Sequence, residues 1–149
     1  LNISIGQGEL LVTPIQIFNY VNLLATRGIA QTPHFVRVDQ LPENIHPNYE
    51  SNIWDRIVSD MRAVIVDEKG TGKSAQPNVP GFKVFGKTGS AENSHGESHA
   101  WFLGWAEYYD KNYSIVVLVE NGGSGGTIAA PIARQVFSQI INYNDMAAR

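Results

Sequence analysis

Gly81-Phe82-Lys83-Val84-Phe85-Gly86-Lys87-Thr88, continued by Gly89 and Ser90, fits two incompatible structures. As G-x-x-x-x-G-K-T it is a phosphate-binding loop, which needs a glycine-rich turn with inward amides and a helix starting at the lysine. As a pleated run it is a β-strand that carries Lys87, Thr88 and Ser90 to its end. The residues between the two glycines decide. Phe-Lys-Val-Phe favours a strand and is too bulky to wrap a phosphate. Thr88 is followed by Gly-Ser-Ala-Glu-Asn-Ser-His-Gly, a poor helix start. The strand reading stands, and a P-loop nucleotide-binding protein is the least favoured alternative.

Two more strand-like runs follow, Ala100–Glu107 and Tyr113–Glu120, with Asp110-Lys111-Asn112 in the turn between them. Ile-Val-Val-Leu-Val at 115–119 is apolar on both faces, which predicts a central strand. Upstream, Thr13 to Gly28 is a well-signalled helix. Thr13 and Gln16 have capping-box spacing, Pro14 sits at the first helical position, Val12 and Ile17 form a hydrophobic staple, and Gly28 is the stop. Ile15, Phe18, Val21, Leu24 and Ala25 leave few polar positions, so this helix should be buried on most sides. His34 to Val38 reads as a short extended piece before a loop to about Tyr49.

A second helix should run from about Asn52 to Lys69, striped by Ile53, Ile57, Met61, Val64 and Ile65 and ended by Gly70. Gly122 to Gly126 reads as a flexible break, and Pro131 opens a last helix carrying Ile132, Val136 and Ile140. The fold class is therefore α+β, an antiparallel sheet of about three strands flanked by three helices, in one unit spanning 1–149.

Composition removes several function classes. With 149 residues, 43% hydrophobic, 17% charged and a net charge of -3, the chain has no basic footprint for nucleic acid. No apolar run approaches the roughly 20 residues of a membrane span. Without cysteine there is no disulfide or thiolate site. The opening Leu-Asn-Ile-Ser-Ile has the character of an interior stretch, and a piece of a longer protein is expected.

Chemistry concentrates at the strand end. A lysine ammonium beside two hydroxyls is a compact receptor for a carboxylate. Gly89 lets an extended ligand approach the backbone, and such an edge can bind a peptide by strand addition. For the tetrapeptide alone, a merely polar strand end is the better reading. His95-Gly96-Glu97-Ser98-His99 is neither H-E-x-x-H nor H-x-x-E-H, and its Gly and Ser argue against a metal-binding helix, so no metal site and no cofactor is expected. His99 should pack or hydrogen-bond locally rather than do acid–base work. Trp101, Phe102 and Trp105 read as core and sheet-face aromatics, Glu92 as an exposed loop residue, and Gly122–Gly126 as a connection rather than a phosphate nest. Gln7 either lines the site floor or fixes a turn.

Six blocks, in order, resemble the C-terminal part of class B penicillin-binding transpeptidases. Ser4-Ile5-Gly6-Gln7-Gly8 with Val12-Thr13-Pro14-Ile15-Gln16 is similar to S-I-G-Q-G…V-T-P-x-Q, and Gly70-Thr71-Gly72 to a G-T-G/A loop. Phe85-Gly86-Lys87-Thr88-Gly89-Ser90-Ala91-Glu92 is similar to F/A-G-K-T-G-T-A-x, with Ser90 in place of the usual Thr. His99-Ala100-Trp101-Phe102-Leu103-Gly104, Val119-Glu120-Asn121-Gly122-Gly123 and Ala130-Pro131-Ile132-Ala133 are similar to the H-A-W-F-x-G block, the V-E-N-G/P-G block and the start of the last helix. The blend resembles the elongation-type penicillin-binding protein 2 group.

The resemblance implies the C-terminal lobe of the penicillin-binding transpeptidase and serine β-lactamase-like fold. It implies a serine acylated by the D-Ala-D-Ala end of a peptidoglycan stem peptide, or by a β-lactam. Lys87, Thr88 and Ser90 would hold the substrate carboxylate, Gly89 would keep the strand open, and the Ser90 backbone N–H would serve the oxyanion hole. That last role is worth about 3 kcal/mol in serine hydrolases. Yet no Ser-x-x-Lys and no Ser-x-Asn occurs here; Ser59 with Arg62 comes nearest, and Tyr20-Val21-Asn22 only mimics a Tyr-x-Asn element inside a buried helix. In the family both motifs precede S-I-G-Q-G, so this stretch alone should not acylate and should need the remainder of its transpeptidase domain. Separated from it, the stretch should expose apolar surface. The parent would be an extracytoplasmic enzyme anchored by an N-terminal membrane helix and working with a cell-wall glycosyltransferase. A serine β-lactamase and a non-catalytic β-lactam-sensing module are the alternatives.

Overall fold

The computed structural model describes residues 8, 11–29, 32–34, 36, 47 and 49–147. Three helices, α1 (Pro14–Ala25), α2 (Ser51–Val66) and α3 (Ala130–Ala147), surround a sheet of β1 (Lys83–Ala91), β2 (His99–Tyr108) and β3 (Lys111–Val119). The sheet is antiparallel in the order β1-β2-β3, and its register runs from Lys83↔Glu107 to Ala91↔His99 without a bulge. Each face has its own core. Val84, Phe102 and Ala106 pack with Ala133, Phe137 and Ile141 of α3. Phe85 and Trp105 pack with Val21 and Leu24 of α1 and Trp54 of α2. The Phe85 and Trp105 rings stack at 4.9 Å.

Local signals explain the helix ends. Thr13 caps α1 with both halves of the capping box formed, and Pro14 occupies the first turn. The C-terminus differs from expectation. Gly28 N donates to Leu23 O at 2.9 Å and Arg27 N to Leu24 O at 3.2 Å, a Schellman motif with Arg27, not the glycine, in the left-handed position (φ 50). Gly28 follows with φ 102, packed where a Cβ would meet the Trp54 ring.

Burial corrects several stripes. α1 is not buried on most sides: only Val21, Leu24 and Ala25 are, while Ile15 and Tyr20 are exposed. In α2 the inward face is Trp54, Ile57, Val58, Met61 and Ile65, and Ile53 points outward because Trp54 takes the contact with α1. α2 ends at Val66, earlier than Lys69, with Gly72 N bonded back to Val64 O. α3 starts after a π-turn at Gly125–Ala129 and buries Ala130, Ala133 and Phe137, leaving Ile132 and Val136 exposed. Small residues on that face let the helix approach the sheet closely.

β3 is an edge of the described sheet rather than its centre. Its apolar run reflects two covered faces, α1 on one and α3 on the other. The turn before it is Tyr109-Asp110, with Lys111 and Asn112 already paired in the strand. His34 and Val36 are described without strand pairing, and the rest of the expected extended piece, like Ser4 to Gln7, lies outside the described residues. Among the described residues no helix is long and apolar enough to cross a membrane.

The start of β1 has its free edge closed by side chains. Val84 N donates to Gln76 Oε1 at 3.2 Å, and Val84 O accepts from Arg62 Nη1 at 2.6 Å. Arg62 Nη1 also reaches Gln76 Oε1 at 2.8 Å, and its guanidinium lies 5.7 Å from the Phe85 ring centroid. Burial lowers the Arg62 guanidinium from its ordinary value, with Glu107 opposing; the group stays charged. Arg62→Met should cost about 1.5–3 kcal/mol, because a charged donor is lost from a strand carbonyl; chemical denaturation measures it. Across the same sheet, a Cβ on Gly104 would lie 2.1 Å from Phe85 O. Gly104→Ala should therefore destabilise by about 1–3 kcal/mol through forced separation of β1 and β2.

Candidate active-site edge

The direction of the Val84 groups orients the whole strand. In an unbulged antiparallel pair, alternate residues turn both N–H and C=O toward the partner or away from it. Val84 turns both away from β2, so Gly86, Thr88 and Ser90 do too. Phe85, Lys87 and Gly89 bond to β2. Lys87-Thr88-Gly89-Ser90 thus lies within β1, not at its end, and presents the Thr88 and Ser90 main-chain groups on an open edge.

Side chains alternate across that edge. Thr88 and Ser90 share the Val84 face, toward α3, while Lys87 leaves on the Phe85 face. Lys87 Nζ nevertheless returns to the edge, donating to Thr88 O at 2.6 Å. The cation and the hydroxyls therefore meet at the rim rather than on one face. Gly89 is not demanded by packing: a Cβ there would touch only Trp101 Cβ, at an ordinary 3.4 Å. What the glycine preserves is open space beside Lys87.

A cleft of about 410 Å³ borders the edge, lined by Thr71, Thr88, Gly89, Ser90 and residues 124–127. Thr88 is nearly buried, and its Oγ1 lies 2.7 Å from Thr71 Oγ1. When Thr71 donates in this pair, the Thr88 proton is free to point at a carboxylate. The other wall is the β3–α3 connection. A Cβ on Gly125 would lie 2.2 Å from Trp101 O and 2.4 Å from Gly89 O, so this loop lies directly on β1 and β2. Gly125 N reaches Ser90 Oγ at 3.4 Å, and Ser74 Oγ donates to Gly126 O at 2.8 Å.

Most residues singled out in the sequence find clear places. Thr88, Gly89 and Ser90 line the cleft, and Lys87 Nζ reaches the Thr88 carbonyl beside it. Gly122–Gly126, expected as a flexible break, is instead held by hydrogen bonds, and its residues 124–126 line the cleft. His99 bonds locally, accepting from Asn121 N at 3.0 Å. Phe102 and Trp105 are fully buried, Trp101 is half-buried and Glu92 is exposed. Tyr20 is exposed and Asn22 Oδ1 faces Ser114 Oγ at 3.4 Å, a structural tie of α1 to β3. Gln7 lies outside the described residues. Among the described residues no group of three His, Cys, Asp or Glu could hold a metal. Sequence reasoning did not foresee Thr71 as a partner of Thr88, or Arg62 and Gln76 as an edge clasp. The G-T-G stretch was the only signal for Thr71.

A larger groove of about 500 Å³ lies between α2 and the start of β1, with Ser59 and Arg62 in its lining. Arg62 is committed there to Val84 and Gln76, and the groove holds no paired nucleophile and base.

Comparison with known proteins gives the family of the chain. The family described as penicillin binding protein transpeptidase domain matches residues 1–138. The peptidoglycan D,D-transpeptidase MrdA of Haemophilus influenzae is 27% identical over 169 residues, covering 95% of this chain and 26% of that protein. The peptidoglycan D,D-transpeptidase PbpA of Mycobacterium tuberculosis is 33% identical over 150 residues, covering 89% and 30%. The imipenem acyl-enzyme complex of penicillin-binding protein A from M. tuberculosis superposes with a TM-score of 0.76 at 25% identity, covering 94% of this chain and 33% of that one. The chain thus spans about a quarter to a third of the relatives it matches, and it belongs to the penicillin-binding protein transpeptidase domain family.

Proposed function

We propose that this stretch is the substrate-holding side of a serine D,D-transpeptidase that cross-links peptidoglycan stem peptides and is acylated by β-lactams. The observation that carries the reading is the open edge of β1, where the outward Ser90 N–H stands beside Lys87 and the Thr88 hydroxyl. A substrate ending in D-Ala-D-Ala would lie along this edge as an added strand. Its terminal carboxylate would replace Thr88 O as the partner of Lys87 Nζ and accept from Thr88 and Ser90. The scissile carbonyl oxygen would turn toward Ser90 N–H.

The chemistry is acyl transfer in two steps. A serine hydroxyl supplied by the upstream Ser-x-x-Lys segment adds to the carbonyl while its proton passes to a base, and the terminal D-Ala leaves as the amine. An amine of a second stem peptide then displaces the serine. In each step negative charge gathers on the carbonyl oxygen, and Ser90 N–H is a fixed donor for it. The names of the relatives, and the β-lactam acyl-enzyme among the similar structures, support this reading. The working enzyme would sit at the extracytoplasmic face of the membrane, where its substrate lies, anchored through an N-terminal helix and cooperating with a cell-wall glycosyltransferase.

Incubation with fluorescent penicillin tests this, on this stretch and on a chain extended upstream through Ser-x-x-Lys. Labelling of the extended chain alone is expected. Labelling of neither contradicts the enzyme reading, and labelling of the short chain places the nucleophile within it. In the extended chain, Lys87→Ala should slow acylation about 10- to 100-fold through loss of a charge-assisted hydrogen bond. Thr71→Val, which keeps shape but removes the hydroxyl facing Thr88, should slow it about 5- to 10-fold, and Thr71→Ser should restore it.

A further inference from the structure

We propose that His99 is a positioning residue: its neutral imidazole holds the β3–α3 connection, which walls the cleft at residues 124–127, against the β1 edge, so protonating it loosens the site. The proposal rests on the function proposed above but comes from a separate set of contacts.

His99 opens β2, directly opposite Ala91 at the end of β1. Its Nδ1 accepts the Asn121 backbone N–H at 3.0 Å, which requires Nδ1 to be unprotonated and places the ring proton on Nε2. Two further bonds join the same loops. Gly123 N donates to Ser98 O at 2.7 Å, and Asn93 Nδ2 to Asn121 Oδ1 at 2.5 Å. Asn121 sits at φ 53 and Gly123 at φ 79, so the chain reverses sharply here. Asparagine tolerates that conformation better than most side chains, yet it still needs holding.

The consequence reaches the cleft two residues on. Gly125 is pressed onto Gly89 and Trp101 with no room for a Cβ, and its N–H points at Ser90 Oγ. The clasp at 121–123 therefore sets where the loop meets the residue assigned to the oxyanion. A proton added to Nδ1 would set two N–H donors face to face at this distance, turning the bond into a repulsion. The titratable groups on the surrounding elements are Glu92 at the end of β1, His95 and Glu97 in the β1–β2 loop, and Glu120 after β3, all exposed. Among the described residues neither ion pair involves any of them, so the Asn121 amide is the contact the proton would meet.

The test uses the chain extended upstream through Ser-x-x-Lys. Acylation by fluorescent penicillin is followed between about pH 5 and 8, where an imidazole changes charge, and His99 itself is titrated by NMR. His99→Asn places an uncharged acceptor oxygen near the Nδ1 position; His99→Leu removes the acceptor. The His99→Leu chain should acylate about 5- to 10-fold more slowly at neutral pH, as expected for one lost hydrogen bond. Its Asn121 and Gly123 amides should also exchange faster. His99→Asn should restore both properties, and the ratio of its rate to that of the unmodified chain should rise on acidification with the midpoint of the His99 titration. A ratio flat across that range overturns the proposal. So does a His99→Leu chain with unchanged acylation and amide protection. If no form acylates at any pH, the transpeptidase reading is what fails. The clasp is then judged by amide exchange alone, which must still quicken in His99→Leu and as His99 protonates.

Discussion

An exposed strand edge is the constraint from which the rest of this structure follows. Among the described residues β1 pairs with β2 on one side only, and an unprotected edge invites aggregation. Its first half is closed: Arg62 and Gln76 take up the Val84 carbonyl and amide. Its second half is left open at Thr88 and Ser90 and framed by polar walls. The division between the two halves falls at Gly86, where the Phe102 ring lies so near that a Cβ would come within 2.5 Å of it. The same strand thus changes from a packed element to an open edge within three residues.

The open half is assembled from segments far apart in sequence. Thr71 follows α2, Thr88 and Ser90 are on β1, and residues 124–127 precede α3. Each wall is tied to the next by one or two hydrogen bonds: Thr71 to Thr88, Ser74 to Gly126, Gly125 to Ser90. Such a site is only as well placed as its walls, and the geometry needed for the proposed acyl transfer tolerates little error. The exposed apolar side chains along α1 and α3, among them Ile15, Tyr20, Ile132 and Val136, match the expectation of apolar surface left uncovered.

Much of this was legible in the sequence, for identifiable reasons. Phe-Lys-Val-Phe between the glycines settled the strand, and the Thr13-Pro14-Gln16 cap settled the start of α1, because local chemistry dominates there. The failures were questions of tertiary packing. Ile53 and Trp54 are both apolar, and only the neighbouring helix selects Trp54. The α3 stripe of Ile132 and Val136 is a good helical pattern on the wrong face, since the close approach to the sheet favours Ala130 and Ala133. Ile-Val-Val-Leu-Val could not distinguish a central strand from an edge strand covered on both faces. Lys87, Thr88, Gly89 and Ser90 were visible as a motif, but the contribution of Thr71 depends on a loop meeting a strand 17 residues later.

A structure of the extended chain acylated by a β-lactam tests the central claim most directly, through the distance from Ser90 N to the acyl carbonyl oxygen. Hydrogen-bond distance, about 2.7–3.1 Å, is expected, with the antibiotic's carboxylate against Lys87, Thr88 and Ser90. An acyl group bound away from the β1 edge, for example in the groove beside Ser59 and Arg62, would contradict it.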